Sequence, residues 1–212
     1  MNADARKARL MLDLRTGGVT EKRVLTALET TPREVFLAGH FRERAYDNVA
    51  LPIGHHQTVS QPAVVGKMTQ ALDVGERAKV LEIGTGCGYQ AAVLARLCRR
   101  LYTIERHAPL LKGAERRFQR LGLVNITTLA GDGTRGWPEQ APFDRIIVTA
   151  AAADVPQILL DQLGPNGIMV IPVGLDENEQ SLLKVRRSGD EVETEDLGPT
   201  RFVPLVAGLG DS

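Results

Sequence analysis

From Lys79 onwards the chain alternates between short apolar runs and helix-patterned stretches, and this rhythm restricts the fold more than any other feature. KVLEI reads as a strand, and GYQAAVLARLCRR as a helix with apolar spacing at Ala91, Leu94, Ala95 and Cys98. LYTIE is a second strand and APLLKGAERRFQRLG a second helix, ended by Gly122. NITTLA, DRIIVTA and GIMVIPV follow as strands, with PQILLDQLG as a helix between the last two. Strands that alternate with helices are joined by β-α-β crossovers, so they build a mostly parallel sheet covered on both faces, an α/β, Rossmann-like architecture. The tail departs from this rhythm. QSLLKVRRSGDEVETEDLGPTRFVPLVAG offers two or three strands with short connections, which predicts an antiparallel pair along one edge.

The first seventy or so residues read as helical pieces. Leu10, Met11 and Leu14 fit one helical face. Thr20 is placed to cap a helix carrying Val24, Leu25 and Leu28, and Thr31-Pro32 to open another with Pro32 at its first position. RAYDNVALPIGHHQTVSQP follows with little periodicity, yet Tyr46, Val49, Leu51 and Ile53 argue that it is ordered. Irregular stretches of that length in a compact domain are usually functional or disordered. With no repeat and no low-complexity linker, 1–212 reads as one domain. Residues 1–75 form its helical part with the substrate loop, 76–175 its ligand-binding α/β core and 176–212 its β extension.

Composition removes several classes of function. Lysine plus arginine equals aspartate plus glutamate at 26 each, so there is no long-range positive field to recruit nucleic acid. Arg96, Arg99 and Arg100 read as a charged helix end rather than a basic patch. No run of ~18 apolar residues predicts a membrane span. The charged N-terminus lacks the apolar core of a signal peptide, and a cytoplasmic location is expected. Cys87 and Cys98 make neither a disulfide framework nor, with the histidines, a metal spacing. No metal and a monomeric state are expected.

The first strand of the alternating region ends in Gly84-Thr85-Gly86-Cys87-Gly88. In open α/β sheets ligands sit at the carboxyl ends of the strands, and glycines there let the backbone come close to them. A dinucleotide fingerprint needs G-x-G-x-x-G, whereas the spacing here is G-x-G-x-G with Glu82 in the strand end just before it. A carboxylate at that place disfavours a pyrophosphate and suits a ligand with an ammonium and a sulfonium group, S-adenosylmethionine. Glu105 ends the second strand, seventeen residues after Gly88, where an ionised carboxylate can accept from both ribose hydroxyls. Asp132, in AGDG after the third strand, is placed to meet the adenine amino group, with Gly133 letting the ring lie close. Each residue alone has a plain structural reading, as a turn or a strand-end charge. Acidic residues at three successive strand ends favour the methyltransferase reading, with Glu82, Gly84, Thr85, Gly86, Glu105, Arg106, Asp132 and Gly133 as the expected cofactor contacts.

Upstream, LPIGHHQTVSQPAVVGKMTQAL carries a helix that starts at Pro62, with Thr58 and Ser60 just before it. Ser60 can serve as an N-cap. Equally, the hydroxyls and the helix N-terminus can receive an anion. Local features leave both readings open.

The two segments together resemble the protein-L-isoaspartate O-methyltransferase family, whose hallmark P-I-G-x-x-Q-T-(I/V)-S-Q-P precedes V-L-E-I-G-T-G-x-G-Y. Both patterns stand here, from Pro52 to Pro62 and from Val80 to Tyr89. The resemblance continues through YTIER, GDGTRGW, FDRIIVTAA and RFVPLV. It implies methyl transfer from S-adenosylmethionine to the α-carboxyl of L-isoaspartyl residues in damaged proteins and peptides, leaving S-adenosyl-L-homocysteine. The ester then collapses to a succinimide that reopens partly to aspartate. It also implies Ser60 as the active-site residue, with Thr58 and the backbone around Val203 holding the isoaspartyl segment. The chain departs from the pattern at His55-His56, where the family more often has glycine second; the pair reads as loop, with His56 placed to affect substrate access. The alternative is a methyltransferase of the same fold class acting on a small molecule or RNA.

Overall fold

The computed structural model describes residues 3–176, 179–189 and 191–210. Its centre is a seven-stranded sheet built from β3 (Lys79–Ile83), β4 (Arg100–Glu105), β5 (Ile126–Ala130), β6 (Phe143–Val148), β7 (Leu163–Val173), β8 (Gln180–Ser188) and β9 (Glu191–Thr200). The spatial order is β5-β4-β3-β6-β7-β8-β9. The first five strands in that order run parallel, and β8 and β9 close the edge antiparallel. The order reverses at β3, so the switch point lies between β3 and β6.

Side-chain alternation explains why the sheet is covered twice. Val80, Ile147 and Val170 face one core, and their neighbours Leu81, Ile146 and Met169 face the other. A period of two along each strand sends every second side chain to the opposite face, so apolar residues at successive positions require a layer on both sides. One layer holds α1 (Ala3–Thr16), α2 (Lys22–Thr30), α3 (Pro62–Leu72) and α4 (Tyr89–Ala95), whose buried residues join the first core. α5 (Ala108–Arg120) contributes Ala114 and Phe118 to the same core. The other layer is thinner, with α6 (Gln157–Leu160) covering it through Leu159.

Several local expectations are corrected. Thr20 does not cap α2, which starts at Lys22 without a side-chain cap. The amide oxygen of Gln70, from α3, instead accepts from the backbone N–H groups of Thr20 and Glu21 at 2.7 and 2.9 Å. Pro32 opens no α-helix; Arg33–Phe36 is a single 3-10 turn. PQILLDQLG yields only the one turn of α6, because β7 already begins at Leu163 and takes the rest. The stretch RAYDNVALPIGHHQTVSQP contains a two-stranded hairpin, β1 (Leu51–Gly54) with β2 (Gln57–Val59). His55 and His56 form its two-residue turn, both at positive φ (50° and 55°). That is the twist-matched turn of a tight hairpin, built here without glycine at either central position.

A cleft at the carboxyl ends of the strands

The turn after β3 is fixed by its neighbours. Gly84 and Thr85 both donate their backbone N–H to the carbonyl of Ile104 in β4, at 2.9 and 3.2 Å. On the other side, the Thr149 hydroxyl bridges to the carbonyls of Ile83 and Gly84 at 2.9 and 2.8 Å. Gly84 has φ +94°, and a Cβ there would run into the Thr149 hydroxyl. The glycine is thus required both by its backbone angle and by the approach of β6.

These strand ends border a cleft of about 970 Å³, counting the open space at its mouth. Its wall brings together Thr58, Ser60, Gly84, Thr85, Gly86, Glu105, Arg106, Gly133 and Val203. Nine of the sequence-derived site residues therefore share one cavity, although they come from five separate stretches of chain. Two do not reach it. Glu82 and Asp132 are absent from the wall, each for a structural reason.

Glu82 is fully buried and pairs in register with Thr103 on β4. The Thr103 hydroxyl lies 2.6 Å from one Glu82 oxygen and 2.6 Å from the Thr85 hydroxyl, which does line the cleft. The other Glu82 oxygen has no hydrogen-bond partner among the described residues. Burial pushes the Glu82 carboxyl up to about 8, against the opposing hydrogen bond from Thr103. Asp132 accepts from the Thr134 backbone and hydroxyl at 2.9 and 2.6 Å and from the Gly208 N–H at 2.8 Å. Burial works to raise its pKa, but those hydrogen bonds and the Arg135 charge outweigh it and hold the carboxyl below its ordinary value.

Glu105 stands at the wall, 5% exposed. Its two oxygens accept from the N–H groups of Gly86 and His107 at 2.7 and 2.9 Å. A carboxylate has about four acceptor positions, so capacity remains for a pair of hydroxyls. Gly133 lies so close to Ile83 that a Cβ would sit 2.5 Å from its Cγ2. Only the smallest residue leaves that wall flat. A carboxylate with spare acceptor positions for ribose hydroxyls shares the wall with a glycine that leaves room for a flat ring, so the residues present fit S-adenosylmethionine.

Ser60 also lines the cleft. Its hydroxyl forms no hydrogen bond among the described residues, and α3 is capped from elsewhere, with Ala63 donating to the Asn48 side chain at 3.0 Å. The capping reading of Ser60 is thereby corrected, and the hydroxyl is free on the cavity wall. Val203 is held as extended backbone: Ala151 donates to its carbonyl at 2.8 Å, and Leu205 donates to the Ala151 carbonyl at 2.7 Å.

The wall also includes Tyr89, Gln90, His107, Thr149 and Leu205, which sequence reasoning missed. Position alone could have flagged Thr149 and His107, since each follows the end of a parallel strand. Nothing in the local pattern singles out Tyr89 or Gln90, which lie within the apolar first turn of α4.

Comparison with known proteins agrees with this geometry. The model of the family described as protein-L-isoaspartate(D-aspartate) O-methyltransferase matches residues 5–210. A protein-L-isoaspartate O-methyltransferase of Paramagnetospirillum magneticum is 59% identical over 208 residues, covering 98% of this chain and 97% of the relative. That of Rhodospirillum rubrum is 58% identical over 211 residues, covering 99% and 96%. A solved protein-L-isoaspartate O-methyltransferase superposes with a TM-score of 0.86 at 27% identity, over 96% of this chain and 67% of the other. A second, from Plasmodium falciparum and solved with S-adenosyl-L-homocysteine, shares the fold with a TM-score of 0.79 at 21% identity, covering 95% of this chain and 98% of that one. The chain is a member of the protein-L-isoaspartate(D-aspartate) O-methyltransferase family.

Proposed function

We propose that this chain esterifies the α-carboxyl of L-isoaspartyl residues in proteins and peptides, with Ser60 as the residue that orients the acceptor. The observation that carries the assignment of Ser60 is its unengaged hydroxyl on the cleft wall, with the Gly84–Gly86 turn and Glu105 in the same cavity. Bound S-adenosylmethionine supplies a sulfonium-activated methyl group and leaves as S-adenosyl-L-homocysteine.

The protein's part is then binding and alignment. Glu105 and Arg106 would hold the ribose end of the cofactor, with Gly133 and its flat neighbour wall receiving the adenine. Gly84, Thr85 and Gly86 would let the methionine portion approach the backbone. Glu82 acts one layer back, through Thr103 to Thr85, and Asp132 by fixing the 3-10 turn Gly133–Arg135 against Gly208. The acceptor carboxylate is ionised at neutral pH, so no group has to remove a proton. Alignment of acceptor oxygen and methyl can lower the barrier by up to about 7–11 kcal/mol. A neutral hydroxyl suits this role better than a lysine, whose charge would quench the nucleophile. Thr58 and the extended backbone at Val203 would hold the peptide on either side.

The same reading treats the chain as one unit, with 1–75 supplying the acceptor side, 76–175 the cofactor side and 176–212 the closing edge. A cytoplasmic monomer is part of the proposal. The support for the monomer is that exposed large apolar residues such as Leu12, Val124, Ile158 and Leu175 lie on well-separated stretches of the chain. Among the described residues, no helix is long and apolar enough to cross a membrane.

The direct experiment offers radiolabelled S-adenosylmethionine with matched peptides that differ only in aspartate or isoaspartate. Base-labile label on the isoaspartyl peptide alone is expected. Label on neither peptide, with cofactor still bound, would overturn the reading and favour a small-molecule or RNA acceptor.

A further inference from the structure

Behind the wall that carries Ser60 lies a buried charge that the mechanism above does not use. Arg33, in the 3-10 turn after α2, is 1% exposed. Its Nη2 donates to the backbone carbonyl of Ser60 at 2.9 Å, and its guanidinium lies 4.5 Å from the centre of the Tyr89 ring. Both contacts are with cleft-lining residues, whereas Arg33 itself stays one layer behind. Nε and Nη1 have no hydrogen-bond partner among the described residues. Among the described residues no carboxylate forms an ion pair with it. Its sequence neighbour Glu34 is engaged by the Tyr46 hydroxyl at 2.6 Å.

A buried guanidinium without a counter-ion is costly, and removing one partner of a buried pair ordinarily destabilises a fold by several kcal/mol. Burial works against the charged form of Arg33, with Tyr89 and Cys87 opposing it. Those two groups do not supply the missing anion, because burial raises both of their pKa values and leaves them neutral at pH 7. An arginine retains its proton in proteins. Among the described residues no anion touches the guanidinium, and the open space beside its Ser60 and Tyr89 partners is the cleft.

We propose that Arg33 is a specificity-determining residue whose set-back charge selects an anionic acceptor, the substrate carboxylate supplying the counter-charge that the fold omits. This rests on the functional reading given above. Its position one layer back follows from the direction of charge flow. The acceptor starts as an anion and ends as a neutral ester, so a cation in direct contact would favour the bound substrate over the transition state and slow the reaction. At one layer's remove, with only the Ser60 backbone between, the charge draws the carboxylate in without donating to the oxygen that must react.

The expected signature is a split between KM and kcat. Arg33→Gln keeps an N–H donor for the Ser60 carbonyl and removes the charge. It should raise KM for an isoaspartyl peptide roughly tenfold, with kcat at saturation unchanged or higher and cofactor affinity unchanged. Arg33→Lys, which restores the charge, should recover most of that KM. A loss of kcat or of cofactor binding in Arg33→Gln, or an unchanged KM, would overturn the proposal. If Arg33→Gln does not fold, Arg33→His provides the test within one protein. Its KM should fall as pH drops and the imidazole gains charge, while the wild type stays level; a level profile in both overturns it. A wild-type protein that methylates no isoaspartyl peptide would instead refute the functional reading, and this inference with it.

Discussion

The Thr103 hydroxyl stands between Glu82 and Thr85, 2.6 Å from each partner, and ties a fully buried acid to the edge of the cofactor turn. The acid is held by β4, not by the ligand. Its protonation therefore belongs to folding as much as to binding.

The carboxyl of Glu82 lies near 8 in the folded protein against an ordinary value of 4.5. Between those values the folded state carries a proton that the unfolded state has released, so stability falls as pH rises from about 4.5 to about 8 and then levels off. Glu82→Gln should remove that slope and stabilise the protein at pH 8 by about 2–5 kcal/mol relative to wild type. Urea unfolding of both proteins at pH 5.5 and 8 checks this; parallel slopes would refute it.

Ser60→Ala removes an orienting hydroxyl and leaves the α3 cap intact, because Asn48 performs that task. kcat/KM for isoaspartyl peptides should fall roughly tenfold, the worth of one hydrogen bond. The pH–rate profile should keep its shape and the melting temperature should not move. A shifted pH optimum would mean that Ser60 takes part in proton transfer.

His56 holds φ 55° in the β1–β2 turn, a backbone region that costs a residue with a Cβ about 1–2 kcal/mol. His56→Gly should relieve part of that strain and stabilise the protein by about 0.5–1 kcal/mol after glycine's own entropy loss. A melting temperature higher by about 1–4 °C is the expected reading. His55 is a less suitable target, since its ring packs 5.4 Å from that of His107 on the cleft wall.

Gly84→Ala combines an unfavourable φ with a collision against Thr149. A loss of about 2–4 kcal/mol in stability is expected. Thr149→Ala in the same chain should restore a good part of it by opening the space, and a double-mutant cycle would measure the recovery.

Much of this molecule was readable from its residues, and the failures share a physical origin. β3, β6 and β7 announced themselves because parallel strands buried on both faces are largely apolar, and β4 and β5 through their alternation with helical stretches. The antiparallel edge was readable from the short connections after Val173. The β1–β2 hairpin was not, since strands of four and three residues are too short to show alternation and a His-His turn lacks the usual Asn-Gly signal. Helix starts were misplaced at Thr20 and Pro32 because capping there is tertiary or absent. Gln70 performs it from fifty residues away in sequence. The same limit applies to the cleft. Thr58, Ser60, Glu105 and Gly133 lie at its wall as expected, but which strand-end acids reach it depends on pleat parity and on Gly208, and neither can be seen locally.

The hydrogen bonds between Ala151 and the Val203–Leu205 stretch have a further consequence. One border of the cleft is main chain held straight, with the Val203 carbonyl and the Leu205 N–H already committed to Ala151, three residues beyond β6. A border of that kind grips another main chain and ignores what hangs from it. On the function proposed above, the substrate is a lesion carried by unrelated proteins, so contacts to flanking side chains would narrow what the enzyme can reach. A backbone rail would let one small protein inspect many unrelated ones.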